Sequence, residues 1–172
     1  MVVFTDAATK YEDKGIQKTM SSYVILSKLP KKIEYDKKLQ DTEEFIIQIT
    51  NYLEEKTVTY GEFISILHAL HWIKKHYPET KEVTVYSDSE VSCNSINKWM
   101  KGWQKNGWKN SIGQEIHNKD LIVDYYDNFV TKKPFKIKVE HVKAHTKKDD
   151  VISCLNRYVD NLAVETLKTF LG

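Results

Sequence analysis

The chain opens with a short apolar run, "VVFTDAA", that reads as a strand with Asp6 near its end. After Gly15, which marks a turn, "GIQKTMSSYVILSK" reads as a second strand, and "KKIEYDKKL" is the candidate third. Strands joined by so few residues are antiparallel neighbours. Between Asp41 and Lys56 two patterns compete. Phe45, Ile46, Ile49, Tyr52 and Leu53 fit a helical stripe, whereas Phe45, Ile47 and Ile49 alternate as in a strand; the stripe favours a short helix. In "TYGEFISILHALHWIKKHYP" the apolar residues Phe63, Ile66, Leu67, Leu70 and Ile73 share one helical face, with Thr59 as the predicted cap and Pro78 beyond the end. "EVTVYSD" is a fourth strand. A helix then runs through Trp99, and "QKNGWKNSIGQ" is loop-like. "NKDLIVDYYDNFV" is helical, "PFKIKVEHV" is a fifth strand, and "KAHTKKDD" is a polar loop before a last helix that ends near Phe170. Strands four and five each follow helical crossovers, so each should run parallel to a strand already in the sheet. The pattern predicts an α/β fold: one five-stranded mixed sheet, three antiparallel then two parallel strands, flanked by helices. No repeat, low-complexity tract or linker interrupts it, so residues 1–172 are expected to form a single domain.

Composition adds little to this picture and charge adds more. Hydrophobic residues make up 41% and charged residues 29%, which suits a soluble globular chain. No apolar run approaches 18 residues and no basic lead-in precedes the first strand, so neither a membrane span nor a secretion signal is expected. Cys93 and Cys154 form no CxxC pair and read as buried free thiols in an intracellular, cytoplasmic setting, viral or nuclear locations included. The net charge is only +2 but is unevenly spread. Glu34–Glu62 holds eight acids and three lysines. Thr131–Lys148 holds seven lysines and one acid, and Lys98, Lys101, Lys105 and Lys109 interleave with Trp99, Trp103 and Trp108. Solvated faces explain such lysines taken alone; two basic stretches together suggest a polyanionic partner.

Four acids carry the candidate chemistry. Asp6 and Asp88 each follow a strand-like run, and ligands of open α/β sheets gather beyond the carboxyl ends of strands. Glu62 lies in the first turn of the main helix and Asp160 in the first half of the last. Each has an ordinary explanation: Glu62 completes a capping box with Thr59, Asp88 caps a helix, Asp6 closes a turn, Asp160 faces water. As a set they read differently. Two carboxylates about 5 Å apart repel by roughly 3 kcal/mol at an effective dielectric of 20, so four in one cleft call for a cation. Carboxylates suit the hard ions Mg²⁺ and Mn²⁺, and a pair of such ions serves phosphate displacement.

In order, "FTDAAT", "YGEFISILHAL", "VYSDSEV", "HVKAHT" and "NRYVDNLA" resemble the motifs of type 1 ribonuclease H, over nearly the whole chain. The resemblance implies a ribonuclease H-like fold and a metal-dependent endonuclease that cuts the RNA strand of RNA–DNA hybrids, leaving 5′-phosphate and 3′-hydroxyl ends. It makes Asp6, Glu62, Asp88 and Asp160 the metal-binding catalytic carboxylates, Asp6 shared by two Mg²⁺ ions for which Mn²⁺ can substitute. It makes His145 the catalytic histidine and places Asn156 one turn before Asp160. "INKWMKGWQKNGWK" is similar to the family's basic protrusion, about 95–115, which contacts the DNA strand. Trp99, Lys101, Trp103, Lys105 and Lys109 are its candidate contacts, with most of the tryptophan area given to packing. Thr57 is the candidate for a phosphate pocket. The implied partner is an RNA–DNA hybrid, bound by a monomer. The chain departs from the family at Ala7, where glycine is usual; in the shortened "TKYEDKG" turn; at Val58 and Thr59, in place of a polar pair; and at Glu90, in place of glutamine. The segments 31–56 and 146–155 are longer than usual. A catalytically silent hybrid-binding module and a resolvase- or integrase-type nuclease of the same superfamily are the alternatives.

Overall fold

The computed structural model describes residues 1–172, the side chain of Asp13 excepted. Five strands form one sheet: β1 (Val2–Tyr11), β2 (Gln17–Leu26), β3 (Phe45–Glu54), β4 (Glu82–Ser87) and β5 (Lys136–His141). Their order across the sheet is β3-β2-β1-β4-β5. The pairs β1–β2 and β2–β3 are antiparallel, while β1–β4 and β4–β5 are parallel. Three meandering strands followed by two crossover strands therefore form as the pattern predicts. Gly15, at φ 74°, closes the β1–β2 turn together with Lys14.

The third strand lies elsewhere than expected. It is Phe45–Glu54, inside the segment whose stripe favoured a helix, and the charged run 31–39 is irregular except for one 3₁₀ turn at Leu39–Asp41. β3 is an edge strand, half-buried on both faces, so apolar residues on both faces imitate a helical stripe. The alternation wins because it seats Ile47 opposite Ile25 and Ile49 opposite Tyr23 on β2.

Helix α1 (Val58–His76) starts earlier than predicted: its cap is Thr57, whose hydroxyl accepts the Tyr60 N–H at 3.1 Å, and not Thr59. From Gly61 to Leu67 it is buried around its whole circumference, between the sheet and its neighbouring helices. After β4, α2 (Glu90–Asn94) passes through a widened π-helical stretch, Ser95–Trp99, into α3 (Met100–Lys105). The helix thus continues past Trp99 and carries Lys101, Trp103 and Lys105. Helix α4 (Lys119–Tyr125) extends through a second π-helical stretch, Tyr126–Thr131. Helix α5 (Val151–Leu171) buries Leu155, Val159, Ala163 and Leu167, one every four residues, and packs against β1 and β2.

Alternation along β1 divides the core into two layers. Val3 belongs to the large cluster under α1 and α4, and Phe4 to the smaller one beneath α5. Fully burying one such side chain contributes about 1.5–3 kcal/mol. The excursion between β2 and β3 seals the α5 layer from below, through Leu29, Ile33 and Leu39. Among the described residues no helix is long and apolar enough to cross a membrane.

Candidate active site

The parallel register of β1 and β4 sets the site. Their last pair is Thr5 with Ser87, so Asp6 and Asp88 both stand one step beyond it, side by side where the two strands part. This is the switch in strand direction, with β1 paired antiparallel on one side and parallel on the other. Asp6 is 3% exposed, and its Oδ1 accepts the Ala7 N–H at 2.8 Å. Asp88 does not cap the helix that follows it. Ser89 caps α2, accepting the Ser92 N–H at 3.2 Å, which leaves the Asp88 carboxylate to face Asn156.

Glu62 arrives on α1, and Gly61 makes its approach feasible. A Cβ on Gly61 would stand 2.6 Å from Thr19 Cγ2 and 3.0 Å from Ala7 Cβ, so the missing side chain lets the helix lie directly on β1 and β2. Because Thr57 caps the helix, the Thr59–Glu62 capping box does not form, and Glu62 turns into the site. Carboxylate oxygens of Asp6, Glu62 and Asp88 all lie within 4.8 Å of one another. Asp160 stands outside that tight trio, near enough for its charge to raise the proton affinities of Asp6 and Glu62.

Helix α5 contributes the fourth side. Asn156 and Asp160 are one turn apart, each one position after a member of the buried stripe. Asn156 is 3% exposed, and its Nδ2 donates to Asp88 Oδ2 at 3.4 Å. The buried hydroxyl of Ser22 donates to the carbonyl of Val159 at 2.9 Å and so pins α5 to the sheet beside Asp160. Ser22 faces Asp6 in the β1–β2 register. Sequence reasoning missed both Ser22 and Gly61. A glycine early in a strong helical pattern was a usable signal for Gly61; a serine in "TMSSYVIL" carried none.

Electrostatics show what the trio lacks. Burial, then the neighbouring Asp88, pushes Asp6 up from 3.8 to about 8. Burial, then Asp6, holds Glu62 well above the usual carboxylate range. Asp88 is raised as well, chiefly by burial, and Asn156 opposes the shift. Asp6 Oδ2 and Glu62 Oε2 are buried with no hydrogen-bond partner. Among the described residues, no lysine, arginine or histidine forms a salt bridge with any of the four acids. Buried carboxylate oxygens with neither a hydrogen-bond partner nor a cationic side chain beside them fit a divalent ion.

The remaining predicted residues lie around this centre. His145 is exposed on the loop after β5, in the left-handed region at φ 54°, close enough for its charge to act on Asp88. His141 bonds through Nε2 to the Asp88 carbonyl at 3.2 Å, an orienting contact not foreseen. Thr57 lies at the start of α1, its hydroxyl hydrogen free after capping. Lys101, Lys105 and Lys109 are exposed on the protrusion that follows Asp88. Trp103 and Trp108 pack against the large core cluster, while Trp99 leaves 40% of its surface exposed. Of the two cysteines, Cys93 is buried, but Cys154 is only partly so, because the wall above it is the open excursion 28–44.

The RNase H family model matches residues 1–168. A probable ribonuclease H of Acanthamoeba polyphaga mimivirus is 34% identical over 108 residues, 62% of this chain and 46% of the viral protein. A ribonuclease H of Clostridium botulinum is 27% identical over 172 residues, 99% of this chain and 97% of its own. The chain spans about half the length of several relatives, 46% for the mimivirus protein and 55% for that of Syntrophomonas wolfei. Among solved structures, LC9-RNase H1, a type 1 RNase H with the type 2 active-site motif, superposes with a TM-score of 0.69 at 18% identity, covering 98% of this chain and 72% of that one. LC11-RNase H1 in complex with RNA/DNA hybrid gives 0.63 at 15% identity over 99% of both chains.

Proposed function

The chain belongs to the RNase H family, and from that premise we propose that it is an endoribonuclease acting on the RNA strand of RNA–DNA hybrids, leaving 5′-phosphate and 3′-hydroxyl ends. The observation that carries this reading is the trio of carboxylates within 4.8 Å, two of its buried oxygens unpartnered. Two hard divalent ions, Mg²⁺ or Mn²⁺, would supply an activated water for in-line attack and charge neutralisation at the departing 3′ oxygen. Asp6, Glu62, Asp88 and Asp160 would hold these ions through their carboxylates. Asn156 orients Asp88 through its amide, and His141 steadies the Asp88 backbone. His145 assists protonation of the leaving group or departure of product. The exposed lysines 101, 105 and 109, with the free edge of Trp99, grip the DNA strand, and Thr57 offers its hydroxyl to a backbone phosphate. Selection for RNA falls to the ribose 2′-hydroxyl and groove shape. The working unit is a single domain acting as a monomer.

The test is end-labelled RNA–DNA hybrid, double-stranded RNA, double-stranded DNA and branched DNA incubated in parallel with Mg²⁺. Cleavage of the hybrid's RNA alone, abolished in Asp88→Asn with hybrid binding retained, is the expected result. Asp88→Asn cutting at the parental rate would sink the metal assignment. Hybrid binding without any cleavage would identify a silent binding module, and cutting confined to branched DNA a resolvase.

A further inference from the structure

Arg157 is the only arginine in a chain with 25 lysines. It sits on α5 between Asn156 and Asp160, and its guanidinium uses both prongs. Nη2 donates to Cys154 Sγ at 3.3 Å, one turn back on the same helix. Nη1 donates to the carbonyl of Thr146 at 2.8 Å, across to the loop after β5. The first contact fixes the direction of the second. Lysine, with a single point of charge on a flexible stem, could not reproduce that fork.

Thr146 directly follows His145, whose backbone is left-handed at φ 54°. A β-carbon makes this conformation uncommon, and a contact that holds the adjoining peptide helps to keep it. A hydrogen bond to the next carbonyl is such a constraint. A second lies farther along, where Tyr35 Oη donates to Asp149 Oδ1 at 3.5 Å from the β2–β3 excursion. The loop runs nine residues, 142–150, without helix or strand between β5 and α5, and a loop of that length needs a tether if its histidine is to keep its station. α5 is itself fastened to the sheet through Ser22 and Val159. One rigid element therefore carries Asp160, the Asn156 that orients Asp88, and the clamp on the histidine loop.

We propose that Arg157 is a positioning residue for His145: by holding the Thr146 carbonyl it fixes the left-handed turn and keeps the imidazole beside the acidic cluster. This rests on the reading of His145 given above. It is tested with Arg157→Met, which keeps the aliphatic stem, Arg157→Lys, His145→Ala and the double variant His145→Ala/Arg157→Met, each first shown to melt cooperatively. On labelled hybrid with Mg²⁺, Arg157→Met should lower kcat about tenfold with little change in KM, and His145→Ala should lower it by about a hundredfold. The double variant should be no slower than His145→Ala, because the tether acts only through the histidine. Arg157→Lys should fall between Arg157→Met and the parent. In the metal-free protein, the His145 ring NMR signals should move or broaden in Arg157→Met. The proposal is overturned if Arg157→Met loses the same factor with and without His145, if it matches the parent, or if the ring signals do not change. A parent protein that leaves the hybrid intact would instead overturn the nuclease reading itself.

Discussion

Asp6 shares control of the metal-free site's pH behaviour with Glu62, which burial also holds well above the usual carboxylate range. The proton affinity of Asp6 is raised in the fold, from 3.8 to about 8, so the folded state binds the proton more tightly than the unfolded chain does. Stability from this group is fully present below its ordinary value and is lost as pH rises through about 8. Asp6→Asn removes that penalty. In chelator, the variant should exceed the parent in unfolding free energy by a margin that widens across this window to on the order of a few kcal/mol. Denaturant titrations at a series of pH values check this; turnover should vanish at every pH. Asp6 and Asp88 were legible because each closes an apolar run, and strand ends are where such sheets bind. Glu62 was legible only within the set of four, since its spacing from Thr59 suggested a capping box that Thr57 pre-empts. The exact partnership of Asn156 with Asp88 could not be read, because it depends on how α5 settles against the sheet.

At the scale of elements, α1 lies against β1 and β2 only because Gly61 has no side chain. Alanine normally improves a helix by about 1 kcal/mol over glycine. Here its Cβ would collide with Thr19 and Ala7, and overpacking of this kind costs about 1–3 kcal/mol. Gly61→Ala should therefore destabilise the protein in urea and lower kcat by displacing Glu62. Adding Thr19→Ser, which removes the offending methyl, should restore part of both. The protrusion makes a separate prediction. Lys101→Ala with Lys105→Ala should weaken hybrid binding and shrink the slope of log affinity against log salt by about 2, as measured by fluorescence anisotropy. The sequence pattern located the four longer helical regions, although the one after Asp88 runs on to Lys105, into a stretch read as loop-like. It failed at β3, where an edge strand apolar on both faces presents the same intervals as a helix, and only pairing with β2 decides between them.

For the molecule as a whole, divalent ions should act as a structural ligand. Metal that binds only the folded state at a hundredfold excess over its dissociation constant stabilises by about 2.7 kcal/mol. In a chain of this size that raises Tm by about 5–10 °C, read by scanning calorimetry in Mg²⁺ against chelator. Asp88→Asn should lose most of the increment. The overall topology was the most legible feature, because short links force antiparallel neighbours and helical crossovers force parallel ones, whatever the detail of each segment. The same topology draws the carboxylates from residue 6 to residue 160 of 172, with α5 completing the cleft. Any version that stops short of α5 lacks Asn156 and Asp160, and with them one wall of the cleft. The proposed cleavage should therefore be absent from a version truncated at Asp150, although Asp6, Glu62 and Asp88 all survive in it.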